Sequence, residues 1–189
     1  MRISKDPEVR KQEIIDAAMG IFSEKGFEAV TMKDIAQAVG VATGLCYHYF
    51  PNKQVLYETA VNQYAETCSR EFIEVFKQTD LTPDACMARL WQVWQQAETT
   101  GAYTYASFFH KEGNEFFHAQ LDTAMARKVT PYIENYLRVL QDRGEIHVLD
   151  SSAAAKFIVG GQMAIINDQS LSLEARFQIV RQLIIKVLN

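Results

Sequence analysis

The sequence predicts an all-α chain, with a three-helix bundle at the N-terminus joined by a long fourth helix to a larger helical domain. Three observations predict it. Apolar residues recur at spacings of three and four along most of the 189 residues. Glycines, prolines and capping residues interrupt that periodicity at helix-length intervals. No stretch alternates apolar and polar residues with β-branched enrichment over more than a few positions, so no sheet is expected. The domain division is expected after Lys53, giving segments 1–53 and 54–189.

In chain order, Ile14, Ala18, Ile21 and Phe22 form one stripe of a helix from Val9 to Lys25, and Gly26 is placed to cap its end. Thr31 followed by Asp34 makes a capping box with Asp in place of Glu or Gln, opening a short helix that carries Ile35, Ala36 and Val39. Gly40 admits a positive φ and a sharp turn into a third short helix, Ala42 to Tyr49, with Val41 and Leu45 facing inward. Pro51 and Asn52 break that helix, and Asn52 or a neighbour caps the long fourth one. Val61, Tyr64, Cys68, Phe72, Val75 and Phe76 carry its period towards Gln78.

Thr82 as N-cap and Pro83 in the first turn start a helix through Trp91 and Trp94. Thr99 to Gly101 and Gly113 are weaker breaks, and helices are expected at Tyr103 to Lys111 and from Asn114 to Arg127. Pro131 is expected to kink or restart a helix that ends at Gly144. Glu145 to Leu149 reads as extended. Asp150 or Ser151 then caps an alanine-rich helix, Ser152 to Asn167, and a last helix covers Leu173 to Leu188.

Composition narrows the function classes. With 48% apolar and 22% charged residues the chain is globular rather than disordered. It holds no apolar run long enough to span a bilayer, and Met1 to Lys11 lacks the apolar stretch of an export signal, so a cytoplasmic protein with no membrane partner is expected. Cys46, Cys68 and Cys86 are too widely spaced for a CxxC metal pair or a disulfide framework. The net charge of −4 argues against coating nucleic acid by bulk charge. That acidity lies in the second segment alone: residues 1–53 hold seven Lys/Arg and seven Asp/Glu, and residues 54–189 twelve and sixteen.

A helix-turn-helix needs a scaffold helix, a turn that tolerates glycine, and a second helix whose first residues are small or polar enough to reach base edges in a major groove. Residues 31–53, TMKDIAQAVGVATGLCYHYFPNK, meet each requirement. Ile35, Ala36, Val39, Val41 and Leu45 pack the pair together, leaving Thr43, Gly44, Tyr47 and His48 outward. The competing reading makes Tyr47 to Phe50 an aromatic stripe of a core helix, with Phe50 the residue best suited to burial. Arg2, Lys5, Arg10 and Lys11 read as a solvated face or as a basic arm for a minor groove.

The segment GFEAVTMKDIAQAVGVATGLCYHYFPNKQVLY resembles the signature of the TetR family of one-component transcriptional regulators, in which a helix-turn-helix is followed by a Tyr-His/Tyr-x-Phe-x-x-Lys stretch. The resemblance covers roughly the first sixty residues; Ala42 and Thr43 replace the family's usual polar pair, and Cys46 stands where a larger apolar residue is common. It implies double-stranded operator DNA as a partner. Thr31 would give its hydroxyl, or the amides of its helix, to a phosphate, assisted by Lys33; Tyr47 and His48 would bond phosphates at the groove edge, and Lys53 would add a charged contact. Ala42 lies beside Thr43 and Gly44, the candidates for touching bases. Thr31 as a cap alone is the plainer reading.

For the second segment the expected role is ligand binding and dimerisation. Met87, Trp91, Trp94, Tyr105, Phe108, Phe109, Phe117 and Met125 are candidates to line a site for a small hydrophobic or cationic effector, against the alternative that they fill the core. His110, Glu112, Glu115 and His118 lack metal-site spacing and read as solvent-facing, as does His147; no metal or cofactor is expected. GxSxG, GxGxxG and GxxxxGK[ST] are absent, so an enzyme is not expected. Phe157, Gly160, Gly161, Ala164, Ile179 and Leu183 on the last two helices are the candidate homodimer interface, a role implied by the resemblance. The whole reads as a ligand-released repressor on a palindromic operator; the rival is an all-helical small-molecule carrier or enzyme without specific DNA binding.

Overall fold

The computed structural model describes residues 6–101 and 103–188, with Glu98 described by its backbone only; Arg2 and Lys5 lie outside the described residues. Nine helices follow in order among them: α1 Pro7–Lys25, α2 Met32–Val39, α3 Thr43–Tyr49, α4 Lys53–Phe76, α5 Pro83–Thr100, α6 Ala106–Phe109, α7 Glu115–Asp142, α8 Ser151–Ile166 and α9 Leu173–Leu188. The described residues contain no strand.

Local chemistry sets most of the boundaries. Asp6 accepts from the Glu8 amide ahead of Pro7, so α1 starts two residues before the apolar stripe suggests, and Gly26 closes it at φ 81°. Gly40 ends α2 in the left-handed region at φ 71°, its N–H donating back to the Ala36 and Gln37 carbonyls. Asn52 Oδ1 accepts from the Val55 amide at 2.9 Å to cap α4, Thr82 caps α5 with Pro83 behind it, and Asp150 Oδ1 accepts from the Ala153 amide at 2.6 Å to cap α8.

The chain forms two compact units. The first comprises the described residues up to Tyr64 together with Thr104–Leu121, and the second those from Ala65 to Tyr103 and from Asp122 onward. Both α4 and α7 therefore contribute residues to each unit.

In the first unit α1 packs on α2 and α6, and α2 on α3. Ile14, Ala18, Phe22, Ile35, Cys46 and Leu56 are fully buried there. Around them runs an aromatic cluster: the Phe27 ring lies 5.3 Å from Phe22, 5.0 Å from Tyr57 and 5.6 Å from Phe117. Tyr64 stacks on Phe109 at 5.6 Å, and its hydroxyl accepts from the Tyr105 amide at 3.2 Å. Offset and edge-on pairs of this kind add about 0.5–1.5 kcal/mol each beyond their area burial.

The second unit packs α8 and α5 against α9. Its core joins Val75, Cys86, Ile133, Leu137, Leu140 and Ala155. Burial raises the Cys86 thiol to about 11, an effect reduced by its hydrogen bond with Tyr136, as befits a packing residue. The connector before α8 is held in place where the His147 amide donates to the Leu188 carbonyl at 2.8 Å.

Three sequence expectations change. The helix expected over Tyr103 to Lys111 contracts to α6, Ala106–Phe109, because Asn114 Nδ2 donates to the Phe108 carbonyl at 2.7 Å while Gly113 turns the chain at φ 87°. The break at Arg127 and restart at Pro131 do not occur, since α7 continues through Pro131 to Asp142. Pro131 is exposed while Ile133, Tyr136, Leu137 and Leu140 are buried, so the packed face holds the helix together across the proline. In α3 the inward residue is Cys46, fully buried, and Val41 and Leu45 are only half-buried.

Candidate nucleic-acid interface

The site begins with the capping box of α2. The Thr31 amide donates to Asp34 Oδ2 at 2.8 Å, the Thr31 hydroxyl donates to the same oxygen at 2.6 Å, and the Asp34 amide donates to Thr31 Oγ1 at 3.2 Å. These bonds, that of the hydroxyl foremost, hold the Asp34 carboxyl below the usual carboxylate range. The Thr31 hydroxyl proton is thus committed to Asp34. What α2 can offer an anion is its first-turn amides, beside the exposed Lys33.

After the Gly40 turn, the Val41 amide donates to the Ala36 carbonyl at 2.9 Å and swings the chain into α3. Ala42 is its N-cap residue with no side-chain cap. Burial of Cys46 and Phe50 fixes which way α3 faces, and burial pushes the Cys46 thiol up, away from reactivity. The opposite side carries Ala42, Gly44, Tyr47 and His48, all exposed, with Thr43 half-exposed; Tyr47 is 51% exposed, which rules out the wholly buried aromatic stripe. His48 lies edge-on to Tyr49 at 5.3 Å. Gly44 leaves open space where a Cβ would stand.

Lys53 differs from the others. Its ammonium donates to the Phe27 carbonyl at 2.7 Å and the Glu28 carbonyl at 3.4 Å, and sits 4.2 Å from the Phe27 ring centroid. Helical periodicity carries no sign of this bond, which links positions 26 residues apart.

The aromatic residues read together as a ligand site fall in two groups. Tyr105, Phe108, Phe109 and Phe117 belong to the first unit, with Phe108 and Phe109 each 2% exposed. Met87, Trp91, Trp94 and Met125 belong to the second and are half-buried. There Phe177, which the sequence suggests as a packing knob of the last helix, packs against both indoles, 4.8 Å from Trp91 and 5.5 Å from Trp94. Two further polar groups lie in this unit: the Tyr103 phenol, raised to about 12 by burial and then by Cys68 and Glu71, and the fully buried Ser69, whose Oγ finds no hydrogen-bond partner among the described residues.

His110 and His118 approach to 4.6 Å between ring centroids, while Glu112 and Glu115 are exposed; among the described residues no three potential metal-ligating side chains converge. On α8 and α9, Phe157, Gly160, Gly161, Ala164, Ile179 and Leu183 are all exposed, whereas Ala155, Ile158, Val159, Phe177 and Val180 turn inward. No helix among the described residues is long and apolar enough to cross a membrane.

Residues 14–60 match the family described as bacterial regulatory proteins, tetR family. The HTH-type transcriptional regulator BetI of Vibrio campbellii is 24% identical over 79% of this chain and 77% of its own length. The HTH-type transcriptional repressor KstR of Mycobacterium tuberculosis is 39% identical over 38% of this chain and 29% of its own length. Among solved structures, SmeT, the repressor of the Stenotrophomonas maltophilia multidrug efflux pump SmeDEF, shares the fold with a TM-score of 0.68 at 17% identity, over 94% of this chain and 89% of that one.

Proposed function

This chain is a TetR-family, DNA-binding transcriptional regulator by its residues 14–60, and from that premise we propose that it is a repressor that binds a palindromic operator as a homodimer and is released by a small hydrophobic or cationic effector. The observation that carries the DNA-reading part is the outward side of α3: Gly44, Tyr47 and His48 exposed and Thr43 half-exposed, over a buried Cys46 and Phe50. A helix held by its inner residues, with small and hydroxyl-bearing groups outside, can enter a major groove without repacking.

Thr43 brings a hydroxyl and a methyl to base edges, with Ala42 and Gly44 allowing close approach. Tyr47 and His48 donate to phosphates beside them, and the first-turn amides of α2 with Lys33 hold a phosphate at the other end. Two copies paired through Phe157, Gly160, Gly161, Ala164, Ile179 and Leu183 would read half-sites roughly 34–36 Å apart. The effector site is assigned to Met87, Trp91, Trp94 and Met125, with Phe177 between the indoles. Tyr105, Phe108, Phe109 and Phe117, within the first unit's aromatic cluster, serve as packing. An effector that prefers one arrangement of the dimer over the DNA-competent one lowers operator affinity by that difference.

The test is selection from a random duplex pool by the full chain. A palindromic site should be enriched, and its binding should weaken steeply with salt as phosphate contacts release counterions. Thr43→Ala should change the selected sequence, whereas Tyr47→Phe should weaken all sequences alike, by about fivefold for one lost hydrogen bond. A pool that yields no enriched sequence would overturn the reading.

A further inference from the structure

A hydroxyl inside a helix has a ready partner in the backbone carbonyl one turn back. Thr59, on the same helix as Ser69, donates to the Val55 carbonyl at 2.7 Å, and Thr130 on α7 donates to the Ala126 carbonyl at 2.7 Å. Ser69 makes no such bond. It lies within α4, is 0% exposed, and its Oγ has no partner among the described residues. A hydroxyl both removed from water and unsatisfied costs stability until something outside the chain completes it.

The surroundings of that hydroxyl are small and neutral. Ala65, Cys68 and Ser69, spaced by three and four residues, form one buried stripe of α4, and none of the three reaches far from the helix. The Tyr103 phenol is close enough to this turn to feel Cys68 and Glu71; burial foremost, then these two, raise it to about 12, so near neutrality it keeps its proton and can donate. Glu71, the charged residue of the turn, is exposed and keeps its water. An ion entering beside Ser69 and Tyr103 would meet two uncharged hydroxyls and no counter-charge from either, a cost that a neutral molecule avoids.

We infer that Ser69 is the hydrogen-bonding anchor of a small-molecule site in the second unit, and that the molecule it takes is uncharged and largely apolar, with a hydroxyl group to meet the serine. The inference rests on the effector reading above and narrows it: of the hydrophobic and cationic classes it keeps the first.

The experiment titrates the full chain by calorimetry with phenol, with toluene, which has a methyl where phenol has its hydroxyl, and with tetramethylammonium. Phenol should bind the wild type saturably. Ser69→Ala should weaken phenol by about fivefold, the order of one lost hydrogen bond, and leave toluene at its wild-type Kd. In the free protein the same variant should hold Tm or raise it by about 1–4 °C, because the hydroxyl it removes has no partner there. If Ser69→Ala does not fold, Ser69→Cys, of similar size with a far weaker donor, reads the same change in phenol against toluene.

Absence of saturable phenol binding would overturn the inference, as would phenol and toluene weakened alike, since Ser69 would then only shape the packing. Phenol binding untouched by the variant, or a Tm lowered by several degrees, would mean that the hydroxyl is already completed by a buried water, and would overturn it too. Tetramethylammonium binding that depends on Ser69 would reverse the assigned class. Toluene or tetramethylammonium that releases the duplex from wild type and Ser69→Ala alike would defeat the inference while the effector reading stands. Phenol that binds through Ser69 while the duplex stays bound supports the site and counts against the effector reading alone.

Discussion

Gly40 and Gly44 lie one helical turn apart in sequence and are glycine for different reasons. Gly40 sits at φ 71°, which an L side chain adopts only at a cost, whereas Gly44 has ordinary helical φ and open space around a would-be Cβ. Nothing inside the described chain calls for a glycine at position 44, whereas the close approach of a duplex in the proposed complex would. Gly44→Ala should stabilise the free protein by about 0.5–1 kcal/mol, through better helix propensity and a less flexible unfolded chain, and raise Tm by about 1–4 °C. The same variant should bind the selected duplex more weakly; if it binds as well as the wild type, Gly44 is not at the interface.

Asp34 supplies a pH-dependent counterpart. Its carboxyl is held low in the folded state, chiefly by the Thr31 hydroxyl and then by the Thr31 amide. The folded value lies below the unfolded one, so this contribution is present above the ordinary carboxylate range and is lost as the pH falls through the folded value. Asp34→Asn should therefore flatten the acid limb of Tm against pH, leaving a nearly constant deficit near neutrality; thermal melts across an acid series check it.

At the scale of elements, what the sequence made legible and what it hid divide along one physical line. Thr31 with Asp34, Gly40, Thr82 with Pro83, and Asp150 all act within four residues of themselves, and each helix boundary they mark was readable. Pro131 does not restart the helix, one of its two expected effects, because burial of Ile133, Tyr136, Leu137 and Leu140 outweighs the local cost of a proline. The contraction of α6 likewise depended on a side-chain bond from Asn114 that periodicity does not reveal. The outward side of α3 was legible because buried and exposed residues alternate there with the period of a helix; the destination of the Lys53 ammonium was not, since its partners lie on another element.

The α8–α9 pair carries its own prediction. Phe157 at 66% exposure and Leu183 at 49% are apolar groups left in water on adjoining helices, a liability that a second copy would relieve. Phe157→Glu or Leu183→Glu should convert a dimer to a monomer in light scattering, and should reduce binding to the palindromic duplex far more than to a single half-site. A wild-type chain that is monomeric at all concentrations would remove this interface from consideration.

For the whole molecule, the two tryptophans of the chain, Trp91 and Trp94, both lie in the second unit, and both touch Phe177. Tryptophan emission, excited selectively over tyrosine, is therefore a private signal of that unit. Any compound that releases the duplex by occupying the proposed effector site should also quench or shift this emission, and Phe177→Ala should weaken both effects together. Release of DNA with unchanged emission would move the effector site elsewhere. The eight aromatic and methionine side chains read as one lining could not have been sorted by sequence, because α4 and α7 each serve both units, and which unit claims a ring is decided by partners distant along the chain.

That sharing limits how the molecule can be cut. The unit bearing α2 and α3 is not a contiguous stretch: Thr104–Leu121 belongs to it, and from that return segment come Phe109 stacked on Tyr64 and Phe117 against Phe27 and Tyr57. A gene truncated after Tyr64 would encode a fragment with raw aromatic surface, prone to aggregate. A chimaera made at one splice point would inherit a mismatched aromatic lining, so grafting the unit that bears α2 and α3 onto another protein requires exchanging two stretches of sequence at once.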